Sequence, residues 1–195
     1  MAAAGELRLP LRQATYQSLI GLLAVTGMRV GEAIALDVGD VDLDTGVLRI
    51  HNTKFGKSRE LILHPTTTEA LEAYHQIRTR HCPRPASPAL LISTVGTRLF
   101  YPNVSAVFRR LVEQAGLSAV NGGAPPRLHD FRHGFALRTV ADWYANGADV
   151  NARLPLLSTY LGHTDPASTY WYLSASPELL GLAAQRLETL LEVEA

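Results

Sequence analysis

Arg127-Leu128-His129-Asp130-Phe131-Arg132-His133 is the stretch on which the reading of this chain turns. It is followed by Tyr160-Leu161-Gly162-His163 and by Thr169-Tyr170-Trp171-Tyr172. Imidazoles, a guanidinium and a phenol are gathered there, with a second guanidinium, Arg29, far upstream. Such groups bind and break a phosphodiester. The diester carries negative charge, and in-line displacement spreads more of it over the equatorial oxygens. Fixed donors stabilise that charge without solvent reorganisation. The planar fork of Arg meets two oxygens at once. Arg132 lies three residues after His129. On a helix the two share one face, one turn apart, and could grip one phosphate. A lone pair of this kind is also what a surface Arg beside a capping His looks like, so the rest of the chain must decide.

The 195 residues suit one domain, long enough to bury roughly two-thirds of its unfolded surface. Apolar residues make up 47% and charged residues 18%, as in an ordinary globular protein. No apolar run approaches the ~20 residues of a membrane span, and the start lacks a charged-then-apolar signal. The single Cys82 excludes an intramolecular disulfide and fits a reducing cytosol. Eighteen basic and 18 acidic residues sum to zero net charge, which taken globally counts against nucleic acid. The distribution is uneven. Arg49, Lys54, Lys57 and Arg59 cluster, as do Arg78, Arg80 and Arg84, and Arg109 with Arg110. Acids gather at Asp37 to Asp44 and in the tail. A basic face with an acidic back and scattered solvated charge fit this composition equally well.

Apolar groups recur at helical spacing over residues 12–25, and Thr26-Gly27 breaks the run. Gly27 allows a tight turn that sets Arg29 at the start of a second short helix, through Leu36. The acidic stretch 37–46 is turn-like. Its alternating aspartates do not make a calcium loop, because Gly46 falls one place late and the twelfth position is His51. Val47–Ile50 and Glu60–Leu63 read as strands, with Lys54 and Lys57 on the tip between them. Thr66 and Glu69 suggest a capping box for a helix to about Arg80. Leu90–Ile92 reads as a third strand. Asn103 suits the cap of a helix that Gly116 stops. A helix from about His129 to Asn146 and another from about Val150 to Leu161, closed at Gly162, follow. Pro155 suits the first turn of the latter if it starts late. Pro166 opens a short helix, and Ser176-Pro177 opens a strongly apolar final one. The fold class is α+β, mostly α-helical, with a small three-stranded antiparallel sheet.

Three boxes give the central stretch its context. Thr26-Gly27-Met28-Arg29-Val30-Gly31-Glu32 resembles the box around the first catalytic Arg of the tyrosine recombinases, the phage-integrase family. Leu161-Gly162-His163 resembles the family's second-His box, and Tyr172 stands nine residues beyond His163, the usual distance to the nucleophile. The resemblance runs from about residue 10 to 185. It implies a helical-bundle catalytic domain that cleaves DNA through a covalent 3′-phosphotyrosine, as a site-specific recombinase or integrase. Arg29 and Arg132 would clamp the scissile phosphate. His129 and His163 would bond its oxygens or help move the Tyr proton. Lys54 would protonate the leaving 5′-oxygen, and Tyr172 would attack phosphorus. Glu32 would orient the site, with His133 as a supporting neighbour or a core His. Lys57, Arg59, Arg109, Arg110 and Arg127 would touch DNA. Lys54 is chosen over Lys57 as the first of a Lys-x-x-Lys pair, and Tyr172 over Tyr170 by spacing.

The resemblance implies no metal and no other cofactor, since guanidiniums carry the charge work. His129 and His133 do have the i, i+4 spacing of helical zinc ligands. Against zinc, Asp130 stands where a metalloprotease has Glu, and Arg132 would repel a dication. The alternatives are a type IB topoisomerase-like nicking and resealing enzyme, or a non-catalytic DNA-binding module. The implied partner is double-stranded DNA, met as a homotetramer across two duplexes by a protein monomeric without it, in a bacterial or phage-type cytoplasm at the nucleoid and away from membranes. Residues 1–10 read as a flexible start, 11–195 as the catalytic domain without the family's N-terminal domain, and 177–195 as a helix that could be exchanged between protomers.

Overall fold

The computed structural model describes residues 9–51, 58–117 and 124–162. The chain divides into two compact units, Met1–Arg132 and His133–Ala195. In the first unit, α1 (Pro10–Thr26) opens on a proline, whose missing N–H costs nothing in a first turn. Leu19 and Leu23 on its inner face are wholly buried. It stops at Gly27, whose φ of 62° is a left-handed conformation and whose N–H bonds the Leu23 carbonyl at 3.1 Å. Helix α2 (Val30–Ala35) follows directly, with Arg29 as its N-cap residue.

Three antiparallel strands come next: β1 (Val41–Asp42), β2 (Val47–Ile50) and β3 (Arg59–Ile62), in that spatial order. The β2–β3 register pairs Leu48 with Leu61 and Ile50 with Arg59. Helix α3 (Pro65–His81) packs on α1 through Leu71 and Tyr74. The buried Tyr74 hydroxyl donates to the Leu90 carbonyl at 3.0 Å and accepts from the Ile92 N–H at 3.2 Å. Helix α4 (Tyr101–Gln114) turns Val104, Val107, Phe108 and Leu111 inward, as its apolar spacing predicts. Phe108 meets Phe131 edge-on, with ring centroids 5.7 Å apart.

Helix α5 (Asp130–Ala145) begins in the first unit and continues in the second. The second unit's core joins Ala136 and Val140 of α5 to Val150, Leu154, Leu157 and Leu161 of α6 (Val150–Leu161). Tyr160 stacks on Phe135 at 5.5 Å. Asp149 caps α6 by accepting the Ala152 N–H at 3.1 Å, and Gly162, at φ 69°, closes it.

The architecture is the mostly helical fold with a three-stranded antiparallel sheet that the sequence predicts. Four local expectations are corrected. The third strand is Val41–Asp42 and not Leu90–Ile92. The latter segment's backbone bonds Leu36 and the Tyr74 side chain, which leaves it only single bridges at its ends. The first turn of α3 is capped by the His64 ring, which accepts from Thr66 N–H at 3.4 Å, because Pro65 starts that helix before Thr66 can cap it. Asn103 lies inside α4, whose start is moved back to Tyr101 by Pro102. Pro155 sits inside α6, since Asp149 starts that helix early. The hairpin tip, the Pro166 helix and the final helix lie outside the described residues.

Arg98 finishes α2. One guanidinium nitrogen donates to the carbonyls of Ile34 at 2.8 Å, Ala35 at 2.7 Å and Leu36 at 3.3 Å, and the other to Asp37. These are carbonyls that a helix end leaves without intrahelical partners, and a cation suits that end of the dipole. Arg98→Met is expected to lower stability by about 1–3 kcal/mol, read as a lower urea midpoint. An unchanged midpoint would mean that water serves those carbonyls equally well.

Candidate active site

The candidate site in the first unit is built on the α1–α2 corner and the first turn of α5. The left-handed Gly27 ends α1 and leaves its carbonyl free of the helix ladder. The Arg132 guanidinium donates to that carbonyl at 3.0 Å across 105 residues of sequence. Arg132 is only 2% exposed. Two residues after Gly27 stands Arg29, half-buried. The Arg132 guanidinium is thus anchored on the turn that leads into Arg29.

Arg29 is held by Glu32. The carboxylate accepts the Arg29 backbone N–H at 2.9 Å and its guanidinium at 3.0 Å. The same carboxylate takes a two-pronged bond from Arg59, at 3.1 and 2.8 Å. The Glu32 side chain is 9% exposed and that of Arg59 14%. Burial by itself pushes the Glu32 carboxyl up, but the hydrogen bonds from Arg59 and Arg29 and the Arg59 charge outweigh it. The group is held below the usual carboxylate range.

His129 lies in the turn before α5 and is exposed. That turn is closed by Asp130, whose carboxylate accepts the Arg127 N–H at 2.7 Å, and by the Arg132 N–H donating to the His129 carbonyl at 3.1 Å. His129, Arg127 and Arg109 line one groove of about 830 Å³ with Tyr101 and Phe108. Arg110, next to Arg109, points elsewhere and lines a separate cleft with Arg12. Neighbouring residues on a helix do not share a face, so the Arg109–Arg110 pair divides between two surfaces. His133, the next residue of α5 after Arg132, is half-buried. Lys54, Lys57, His163 and Tyr172 lie outside the described residues.

Two arginines have partners that sequence reasoning does not supply. Arg59 is drawn inward to Glu32, whereas its place in a basic cluster suggests a DNA contact. Strand alternation carried the signal: Arg59 falls on the side of buried Leu61, while Glu60 and Ile62 face out. Arg98 stands alone in sequence, and only the fold brings it to the end of α2.

The description "Phage integrase family" matches residues 6–178 of this chain. The proposed integrase/recombinase y4rB of Sinorhizobium fredii is 47% identical over 93% of this chain and 58% of its own length. Tyrosine recombinase XerC of Azotobacter vinelandii is 33% identical over 80% of this chain and 46% of its own. The chain therefore spans about half the length of such relatives. Among solved structures, XerH site-specific recombinase bound to palindromic difH substrate superposes with a TM-score of 0.69. It is 23% identical, over 96% of this chain and 50% of that one. XerA recombinase gives 0.68 at 24% identity, over 88% of this chain and 62% of that one. These structural likenesses establish the fold, that of tyrosine recombinase catalytic domains.

The lowered Glu32 pKa fixes a sign. A carboxyl held down in the folded state contributes stability above its unfolded pKa, here about 4.5, and loses it as pH falls through the folded value. The stability gap between wild type and Glu32→Gln should be constant above that pH and close below it. Urea melts across a pH series measure the gap. A gap that persists unchanged to about pH 3 would contradict the assignment.

Proposed function

The chain belongs to the phage integrase family, and from that membership we propose that it carries the catalytic domain of a site-specific tyrosine recombinase. Its substrate is double-stranded DNA, as XerH is bound to a palindromic difH substrate and the Tn1549 transposon integrase to transposon right end DNA. The observation that supports this reading most is the bond from Arg132 to the Gly27 carbonyl, two residues from Arg29. In this reading one phosphate meets the Arg132 guanidinium and that of Arg29, two residues along the chain from the Gly27 carbonyl.

The chemistry follows from the groups. Arg29 and Arg132 hold the non-bridging oxygens and stabilise the charge that grows on them. His129 and His163 add donors, and one of them helps move the phenol proton. An unperturbed Tyr has a pKa of about 10, so Tyr172 needs this cationic setting to attack at neutral pH. Its oxygen forms a bond to phosphorus as the bond to the 5′-oxygen breaks. Lys54 gives that oxygen its proton. The phosphotyrosine conserves the bond energy, so attack by a 5′-hydroxyl rejoins the strand without ATP. Guanidiniums do the work that a metal does elsewhere.

Lys57, Arg109, Arg110 and Arg127 contact the DNA backbone in this reading, and their contribution weakens with salt. Arg59 is left out of that set because Glu32 engages it. His133 supports the turn that carries His129. The enzyme works in the cytoplasm, where four copies on two duplexes exchange strands, and free protein is monomeric. Residues 177–195 reach a neighbouring protomer in that assembly. No helix among the described residues is long and apolar enough to cross a membrane.

A nicked suicide substrate tests the reading. Wild type should form a covalent adduct, and peptide mapping should find it on Tyr172. Tyr172→Phe should keep DNA binding and lose the adduct. Arg29→Ala should slow cleavage by about 10²–10³-fold. An adduct on Tyr170, or none, would overturn the assignment.

A further inference from the structure

We propose that Arg59 is a positioning residue, holding the β2–β3 hairpin on the Glu32 carboxylate and thereby setting the reach of Lys54. The inference rests on the reading of Lys54 as the acid. Arg59 pairs with Ile50 in the last described rung of the hairpin, and residues 51–58 connect the two. Lys54 is four residues beyond Ile50 and five before Arg59. A chain of four residues spans at most ~14 Å, so the position of that rung bounds where the lysine can go.

The rung is anchored by a desolvated, two-pronged ion pair. Arg59 meets Glu32 at 3.1 and 2.8 Å, with side chains 14% and 9% exposed. The neighbouring rung offers a contrast. Arg49 and Glu60 pair at 3.0 Å across the hairpin's outer face, 45% and 63% exposed. Such an exposed pair fixes little. It also ties the hairpin only to itself, whereas Arg59 ties the hairpin to α2. Glu32 holds the Arg29 N–H and guanidinium as well, at 2.9 and 3.0 Å. One carboxylate therefore sets the hairpin's base and the first phosphate-binding Arg in a common frame. A general acid must come within hydrogen-bond reach of the oxygen it protonates, and a misplacement of about 1 Å costs roughly 100-fold.

The claim is that Arg59 acts through the acid, and this can be separated from other routes. Without Arg59, Glu32 could draw Arg29 more tightly to itself, or the fold could loosen. Either effect would slow cleavage whatever the leaving group. Loss of the acid's placement is specific to leaving groups that need a proton. A bridging 5′-phosphorothiolate leaves as a thiolate and needs none.

The test compares single-turnover cleavage of nicked substrates bearing the ordinary phosphodiester or the phosphorothiolate, using wild type, Arg59→Met, Arg59→Lys and Lys54→Ala. Arg59→Met should slow the phosphodiester by about 100-fold and the phosphorothiolate by under about 3-fold. Arg59→Lys, with one ammonium in place of the fork, should recover part of the loss on the phosphodiester. Equal slowing on both substrates, or no slowing on either, overturns the proposal. If circular dichroism finds Arg59→Met unfolded, the ratio of the two rates in Arg59→Lys decides by the same criterion. Lys54→Ala separates the two readings. If it is not rescued while wild type cleaves, the assignment of the acid is at fault. A wild-type chain that captures neither substrate removes the functional reading and this inference together.

Discussion

The carboxylate of Glu32, shared between Arg29 and Arg59, is the interaction on which the arrangement of the site depends. It sits in a helix of six residues, Val30–Ala35. A helix so short does not hold itself in water, where nucleation is costly and few bonds follow it. It persists because both ends are tied to distant parts of the chain. Glu32 caps the start and carries Arg59 from β3. Arg98 satisfies the carbonyls at the end. Removing one partner from a buried ion pair typically costs about 3–5 kcal/mol, because the other charge is left without compensation. In this trio, two guanidiniums share one carboxylate.

Gly27 links that corner to the rest. Its left-handed conformation ends α1, and its carbonyl accepts from Arg132. One residue thereby stops a helix, starts the turn to Arg29 and receives the second guanidinium. A residue with a Cβ at this φ would be strained by about 1–2 kcal/mol, and the strain would be felt at both arginines. The edge-on contact of Phe131 with Phe108 holds the same turn of α5 from the side of α4. The placement of Arg132 is thus over-determined by packing on one side and a buried hydrogen bond on the other.

How much of this was legible in the sequence depended on how local the cause was. The Gly27 stop, the start of α2 at Arg29 and the closing glycines of α4 and α6 were readable, because each follows from the backbone freedom of a single residue. The inner faces of α1 and α4 were readable from spacing. The third strand was not. Leu90–Ile92 has strand-like residues, but Tyr74 and Leu36 take its backbone groups, and those partners are remote in sequence. Pro102, Pro65 and Asp149 each displaced a helix start from the place where a polar cap alone would put it. The Arg59–Glu32 bond is not legible from a cluster of like charges, although the alternation of the strand puts Arg59 on the side of buried Leu61.

That placement bears on the net charge of zero, which taken globally argues against a nucleic-acid partner. Charge acts through where it is exposed. Arg78 is buried and donates to the Ala89 carbonyl at 3.0 Å, and Arg59 and Arg98 are engaged by carboxylates. These cations serve the fold and contribute little to the field outside it. Arg109 and Arg127 are exposed on one groove with His129, and Arg110 is exposed on another surface. A sum over the sequence weighs all of them alike and so misstates both the basic and the acidic side. Binding to a polyanion depends on a few exposed cations lying within a screening length of one another, about 8 Å at physiological salt. The distribution of arginines between inside and outside, set by helix and strand periodicity, is therefore the quantity that composition leaves out.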